Sequence, residues 1–410
     1  MAFPRRARRL WDYWRAEKRT LGQGFVALIV STAASFVAGI TLGSITHTLE
    51  ALPGLVILIP AAVGMRGTIF GSMGARLGTS AHAGLLDVTR DRSGVLQQNI
   101  SVAVALTFGS SLYLAALAKL AAAAFGLASI SFWDFVTISV VGGVLSSAFI
   151  LFATIGLAVV STRREYDLDS VATPLVSAVG DMVTLPMLFL ATFLLRFSIL
   201  NSIVAAACVV AGLFAIRAGL RTQVAQVRRI LIEMTAVVIL TPMLDIAAGL
   251  VLQARLDKIA VIPGLLIIVP PFVSQAGALG GILSSRLTSK LQLGVVSPRG
   301  LPGAPALLDA SLVLGLGATA FTLIGATGLG LSYLLNQAHP AAASMIGGTF
   351  VAGMLATAVA IVVGYYLAIL TTRFGLDPDN HGVPIVTSLM DLTGILCILL
   401  VLPIYGVANG

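Results

Sequence analysis

Charge is scarce in this 410-residue chain. Asp, Glu, Lys and Arg together make up 10% of it, against about 25% in ordinary soluble proteins. With 58% apolar residues and a mean hydropathy of +1.00, the deficit excludes a soluble globule. Cysteine is nearly absent: Cys208 and Cys397 both fall in apolar runs, and two residues cannot make a disulfide framework. The four histidines, His47, His82, His339 and His381, are scattered near the ends of apolar runs. No pair has zinc-ligand spacing. Aromatic residues, at 7%, are too few to suggest a large aromatic-lined cavity.

What is abundant is apolar sequence in runs near the roughly 20 residues that cross a hydrocarbon core. The pattern predicts eleven helices, at 23–46, 52–75, 96–123, 135–161, 171–195, 199–216, 231–253, 260–284, 306–335, 342–370 and 383–405. The fold class is therefore an all-α polytopic membrane protein. The basic opening "MAFPRRARRLWDYWRAEKR" is not read as a secretory signal, because the apolar run after it is too long and lacks an A-x-A-like end. Residues 1–20, with Trp11 and Trp14 among arginines, suggest an amphipathic segment on an anionic leaflet. Segment 217–229 has the same place before the seventh span.

The net charge of +8 need not mean nucleic acid. With the N-terminus cytoplasmic, nearly all the basic residues fall in inner segments, and only Lys119, Arg196, Arg255 and Lys258 lie outside. That asymmetry is the positive-inside rule, which sets the C-terminus outside and the chain in the cell membrane.

The chain also repeats itself. "LPGLVILIPAAVGMRGTIFGSMGARLGTS" at 52 aligns with "IPGLLIIVPPFVSQAGALGGILSSRLTSK" at 262. Pro53, Pro60, Gly67, Gly71 and Arg76 pair with Pro263, Pro270, Gly277, Gly281 and Arg286, an offset of 210. The same offset joins Asp167 and Asp169 to Asp377 and Asp379, Pro174 to Pro384, Ser177 to Thr387 and Asp181 to Asp391. Residues 21–198 and 220–410 thus read as two five-helix repeats. A linker span at 199–219 makes them parallel, related by a pseudo-twofold axis along the membrane normal. One chain is then the equivalent of a fused dimer, and is expected to work as a monomer in the bilayer.

Asp181 and Asp391 lie near the middle of apolar spans, where a carboxylate costs roughly 2.5–3.5 kcal/mol on insertion scales. Brought together by the pseudo-axis they repel, unless a cation lies between them. Each follows a hydroxyl, Ser177 or Thr387, by one turn. Two carboxylates with hydroxyls and carbonyls are hard-oxygen chemistry, which suits Mg2+; Mn2+ and Ca2+ are alternatives. The second span of each repeat carries a stripe of small residues that includes Gly67 and Gly277, serving either close helix packing or a backbone-lined path. Arg66, opposite Ala276, reads as a counter-ion for Asp181, with a gate or a snorkelling side chain as alternatives. Asp245 and Glu233, whose counterparts are Ser35 and Gln23, are candidates for coupling to Na+ or H+. Asp167, Asp169, Asp377 and Asp379 form either an inner cation mouth or a set of helix N-caps.

At these residues the sequence resembles the membrane domain of the MgtE magnesium-transporter family and its duplicated solute-carrier branch. The segments that carry the resemblance are "DLDSVATPLVSAVGD" and "DPDNHGVPIVTSLMD". It implies that Asp181 and Asp391 help hold hydrated Mg2+ in a pore. About twenty residues precede the first span, so the soluble sensor domains of the bacterial proteins are not expected. The reading is a divalent-cation transporter, most simply for Mg2+, and not an enzyme. A Na+-coupled transporter of a small organic substrate is the alternative. An intramembrane aspartyl protease fits less well, since its two aspartates need different settings and these occupy duplicate ones.

Overall fold

The computed structural model describes residues 13–15, 18–82, 94–164, 168–222, 224–298, 300–375 and 381–406. Eleven long helices account for most of them: α1 (Lys18–Ser44), α2 (Leu55–His82), α3 (Val95–Ala124), α4 (Phe132–Arg164), α5 (Leu168–Thr192), α6 (Ser198–Leu220), α7 (Ala225–Gln253), α8 (Pro263–Gln292), α9 (Ala304–Leu334), α10 (Ala342–Phe374) and α11 (Val383–Leu400). Among the described residues there is no strand. All eleven expected helices are present, with ends displaced by several residues. Ten are long and apolar enough to cross a membrane, and α1 contributes a shorter apolar stretch, Leu28–Ser44. Segment 217–229 is not a separate surface helix: it is the end of α6, a short turn, and the start of α7.

Many hydroxyls within these helices return to their own backbone. Thr32 donates to the Leu28 carbonyl, Thr184 to Gly180 and Thr241 to Val237, at 2.7, 2.7 and 2.9 Å. A threonine that bonds one turn back brings no unmet polar group into an apolar setting.

The repeat seen in the sequence extends to details of the backbone. Short helices Thr46–Ala51 and Leu256–Ala260 precede α2 and α8, and 3-10 turns Phe193–Arg196 and Leu402–Tyr405 follow α5 and α11. After α3 the chain reverses through Gly126 (φ 64°), and after α9 through Asn336 (φ 50°), 210 residues on. Both are left-handed positions, the first a glycine and the second the residue that tolerates them next best.

The first helices are exchanged between repeats. Helix α1 packs on α8 and on its own α5, while α7 packs on α2 and on its own α11. The crossings are made by backbone: a Cβ on Gly39 would run into the carbonyl of Ile267, and one on Gly249 into that of Ile57. These pairs are again related by 210. Helices α2 and α8 are the most enclosed spans, and the linker α6 the least. The outward face of α6, with Ile199, Ile203, Val210 and Phe214 exposed, is what a helix facing lipid tails requires.

Candidate metal centre

Asp181 lies at mid-helix on α5 and is buried. Its Oδ2 accepts hydrogen bonds from Ser35 Oγ of α1 at 2.7 Å and from Ser274 Oγ of α8 at 2.6 Å. The exchange of first helices explains the arrangement. One half of the centre takes α5 and α1 from the first repeat and α8 from the second.

The other half applies the same geometry to different residues. Advancing Asp181, Ser35 and Ser274 by the repeat gives Asp391 on α11, Asp245 on α7 and, counting back from 274, Gly64 on α2. These three do converge. A Cβ built on Gly64 would lie 2.7 Å from Asp245 Oδ2, and Asp391 is within electrostatic reach of both Asp245 and Asp181. Asp245 is wholly buried, and neither of its oxygens has a hydrogen-bond partner. The Ser388 hydroxyl is beside it without the geometry of a bond. One half is thus a carboxylate with two donors. The other is two carboxylates, with neither Asp245 oxygen in a well-formed hydrogen bond.

Such a centre can hold a cation, and its chemistry limits which. Among the described residues no group of three or more His, Cys, Asp or Glu side chains is arranged to hold a metal ion. Two carboxylates with water completing the shell is the arrangement that suits Mg2+.

Other expected site residues are distributed as follows. Arg66 is fully buried but does not meet Asp181. It turns toward α3 and α4, donating to Ser111 Oγ at 2.8 Å and to its own Ala62 carbonyl at 3.3 Å, with Nε unpartnered. The counter-ion reading of Arg66 is thereby corrected. Thr387 donates to the Pro384 carbonyl at 2.9 Å rather than toward Asp391. A Cβ added to Gly277 would lie 3.4 Å from the Thr387 side chain, and one added to Gly281 3.4 Å from Val383, so this part of the stripe faces the neighbouring helix. Gly67 is half-buried on α2. Ser177 and Asp169 belong to α5, but their side chains lie outside the described residues, as do Asp167, Asp377 and Asp379 altogether. Glu233 is paired with Arg229 at 2.8 Å on the surface of α7, three turns from Asp245.

A second charged cluster, not anticipated from the sequence, lies at the basic end of the second repeat. Asp309, fully buried on α9, takes Arg286 Nε at 3.0 Å and Lys290 Nζ at 2.6 Å. Tyr13 donates to Asp309 Oδ1 at 2.7 Å, and Trp14 Nε1 to Ser311 Oγ at 3.1 Å. Burial, and then the Asp309 carboxylate, push the Tyr13 hydroxyl above its ordinary pKa, which keeps it a donor. This part of the opening segment therefore docks on protein. In the first repeat Asn99 replaces the aspartate and accepts from Arg76 Nε at 2.8 Å.

Comparison with known proteins gives concordant results. Residues 59–191 and 269–401 each match the MgtE family, described as a divalent cation transporter. The second match begins 210 residues after the first (269 against 59) and ends 210 after it (401 against 191). The chain is 24% identical to solute carrier family 41 member 3 of Rattus norvegicus over 417 residues, covering 95% of this chain and 89% of the relative. It is 26% identical to the Mus musculus protein of the same name over 384 residues, covering 87% and 77%. No solved structure matches.

Proposed function

The chain belongs to the MgtE family of divalent cation transporters, and from that premise we propose that it carries partly hydrated Mg2+ past Asp181 and Asp391 at the interface of its two repeats. The observation that supports this most directly is that Asp391 lies within electrostatic reach of both Asp181 and Asp245, all three inside apolar helices. Like charges at that depth repel and are poorly solvated, and a hard divalent cation relieves both conditions. Hydroxyl and carboxylate oxygens favour Mg2+ over softer metals.

With the N-terminus cytoplasmic, as the basic residues favour, inward movement of Mg2+ at ~100 mV gains about 4.6 kcal/mol, from roughly 2.3 per charge. Outward movement needs a second ion, Na+ or H+. Asp245, whose counterpart is Ser35, can serve that coupling if the second ion takes its carboxylate in alternation with Mg2+; Glu233, three turns away and paired with Arg229, has less claim. The functional unit is one chain, with repeats at 21–198 and 220–410 and a linker at 199–219. No bond is made or broken, so the activity is transport and not catalysis.

The test is Mg2+ flux into proteoliposomes at a fixed K+ diffusion potential, with and without a Na+ or pH gradient. Flux that follows voltage alone supports a channel-like path, and flux that needs the second gradient supports exchange. Asp181→Asn combined with Asp391→Asn should abolish either. Normal flux in that double variant would remove the aspartate pair from the mechanism.

A further inference from the structure

The two halves of the centre are topologically equivalent and chemically unlike. In the first, Asp181 is satisfied within the protein by Ser35 at 2.7 Å and Ser274 at 2.6 Å. In the second, those two hydroxyls are replaced by a carboxylate, Asp245, and by Gly64, which has no side chain at all. The substitutions are linked. The absence of a Cβ at Gly64 is what leaves room for the Asp245 carboxylate, 2.7 Å from where that atom would be.

Asp245 is the least expected of these residues. It is wholly buried, and both its oxygens lack a donor. Another carboxylate, Asp391, is within electrostatic reach of it. Arg66, the buried cation on α2, turns the other way, to Ser111. A buried carboxylate without a well-formed hydrogen bond costs several kcal/mol, and the Ser388 hydroxyl beside it offsets only part of that. What is missing on this side is a positive charge, and two carboxylates call for two of them.

We propose that the ion's resting seat is off the pseudo-axis, bound directly by Asp245 and Asp391 over the Gly64 backbone, with Asp181 reaching it only through water. The ligand class is a hard, partly hydrated divalent cation. Two carboxylate oxygens bind directly and water fills the remaining positions, the coordination Mg2+ adopts most readily. Asp181, its Oδ2 already holding two hydroxyls, is a weaker direct ligand. It acts as an electrostatic partner that draws the ion across. This assignment rests on the transport reading above but makes a separate claim, that the two pore aspartates are unequal and that Asp245 ranks with Asp391.

The experiment measures Mn2+ binding to the full chain in lipid nanodiscs, read by loss of the free-Mn2+ electron paramagnetic resonance signal. The variants are Asp245→Ser, which turns the second half toward a copy of the first, with Asp391→Asn, Asp181→Asn and Gly64→Ser. Asp245→Ser and Asp391→Asn should each weaken binding at least tenfold, and Asp181→Asn by less than about threefold. Gly64→Ser keeps every charge but places a hydroxyl against Asp245, as Ser274 does at Asp181, and should weaken binding by an intermediate factor. It carries the test alone if Asp245→Ser fails to fold. Equal losses in Asp181→Asn and Asp391→Asn, with Asp245→Ser and Gly64→Ser binding as the parent does, would centre the ion on the axis. That result overturns this proposal and leaves the transport reading intact. Binding unaffected in all four variants would overturn both.

Discussion

The hydroxyl of Ser35 lies 2.7 Å from Oδ2 of Asp181, a residue 146 positions further along the chain. With Ser274, on the same oxygen at 2.6 Å, it accounts for how one aspartate is tolerated at the middle of an apolar helix. Ser35→Ala and Ser274→Ala are each expected to lower stability by about 1–2 kcal/mol, the range between an average interhelical bond and one to a charged acceptor. The double variant should lose more than the sum, because it leaves a buried carboxylate without a donor. Thermal unfolding of the purified variants measures both.

How much of this was legible in the sequence depends on the distance over which each signal acts. The helices were legible because an apolar run is local, and the repeat because an offset of 210 returns from Pro53 to Asp391. The partners of Asp181 were not, because α1 and α8 reach it only through the exchange of first helices. The offset did hold the information in latent form. Ser35 aligns with Asp245, and Ser274 with Gly64; only the fold shows that these two positions meet. Asp309 was missed for the opposite reason. A lone aspartate at the start of α9 looks like a solvated helix end until Arg286, Lys290 and Tyr13 are seen to converge on it.

Arg66 shows a departure from symmetry that is made good by volume. Its guanidinium fills the space over Gly143 beside Ser111, where a Cβ on Gly143 would overlap it. At the corresponding positions the second repeat has Ala276, Gly353 and Phe321. The Phe321 ring now fills that space, with Phe272 against it at 4.6 Å between centroids. A large residue on the second helix has been traded for one on the third. Arg66→Ala should leave a void and Ser111→Phe should clash with the guanidinium, each destabilising. Combining them should recover much of the loss, with a coupling of about 1–3 kcal/mol in a thermal-unfolding cycle. Additive losses would mean that Arg66 is kept for its charge.

The exchange of first helices depends on two glycines. Gly39 and Gly249 admit the carbonyls of Ile267 and Ile57 at crossings where backbone, not a movable side chain, is the neighbour. Gly39→Ala and Gly249→Ala should each cost at least the 1–3 kcal/mol typical of overpacking, and lower the yield of monodisperse protein. Gly156→Ala is the control, since its Cβ would meet nothing within 4 Å. If Gly39→Ala melts like that control, the crossing is looser than the contact implies.

A cation bound only by the folded chain must also stabilise it. The two carboxylates of the second half, Asp245 and Asp391, repel without an ion and attract one when it is present, so Mg2+ should raise the unfolding temperature. Linkage sets the size: about 2.7 kcal/mol at a concentration one hundred times Kd, and about 4.1 at one thousand times. The rise should therefore grow with the logarithm of Mg2+ concentration above Kd and reverse on addition of a chelator. K+ at equal ionic strength should not reproduce it, because a general salt effect screens surface charges such as the Arg229–Glu233 pair, whose side chains are 73% and 39% exposed. The Asp181→Asn, Asp391→Asn double variant should lose most of the Mg2+ response. It should also melt higher than the parent in chelator, since two carboxylates inside apolar helices, one buried and one half-buried, have been replaced by amides of similar size. A variant that melts lower in chelator yet keeps its full response to Mg2+ would mean that the stabilising ion binds elsewhere on the chain.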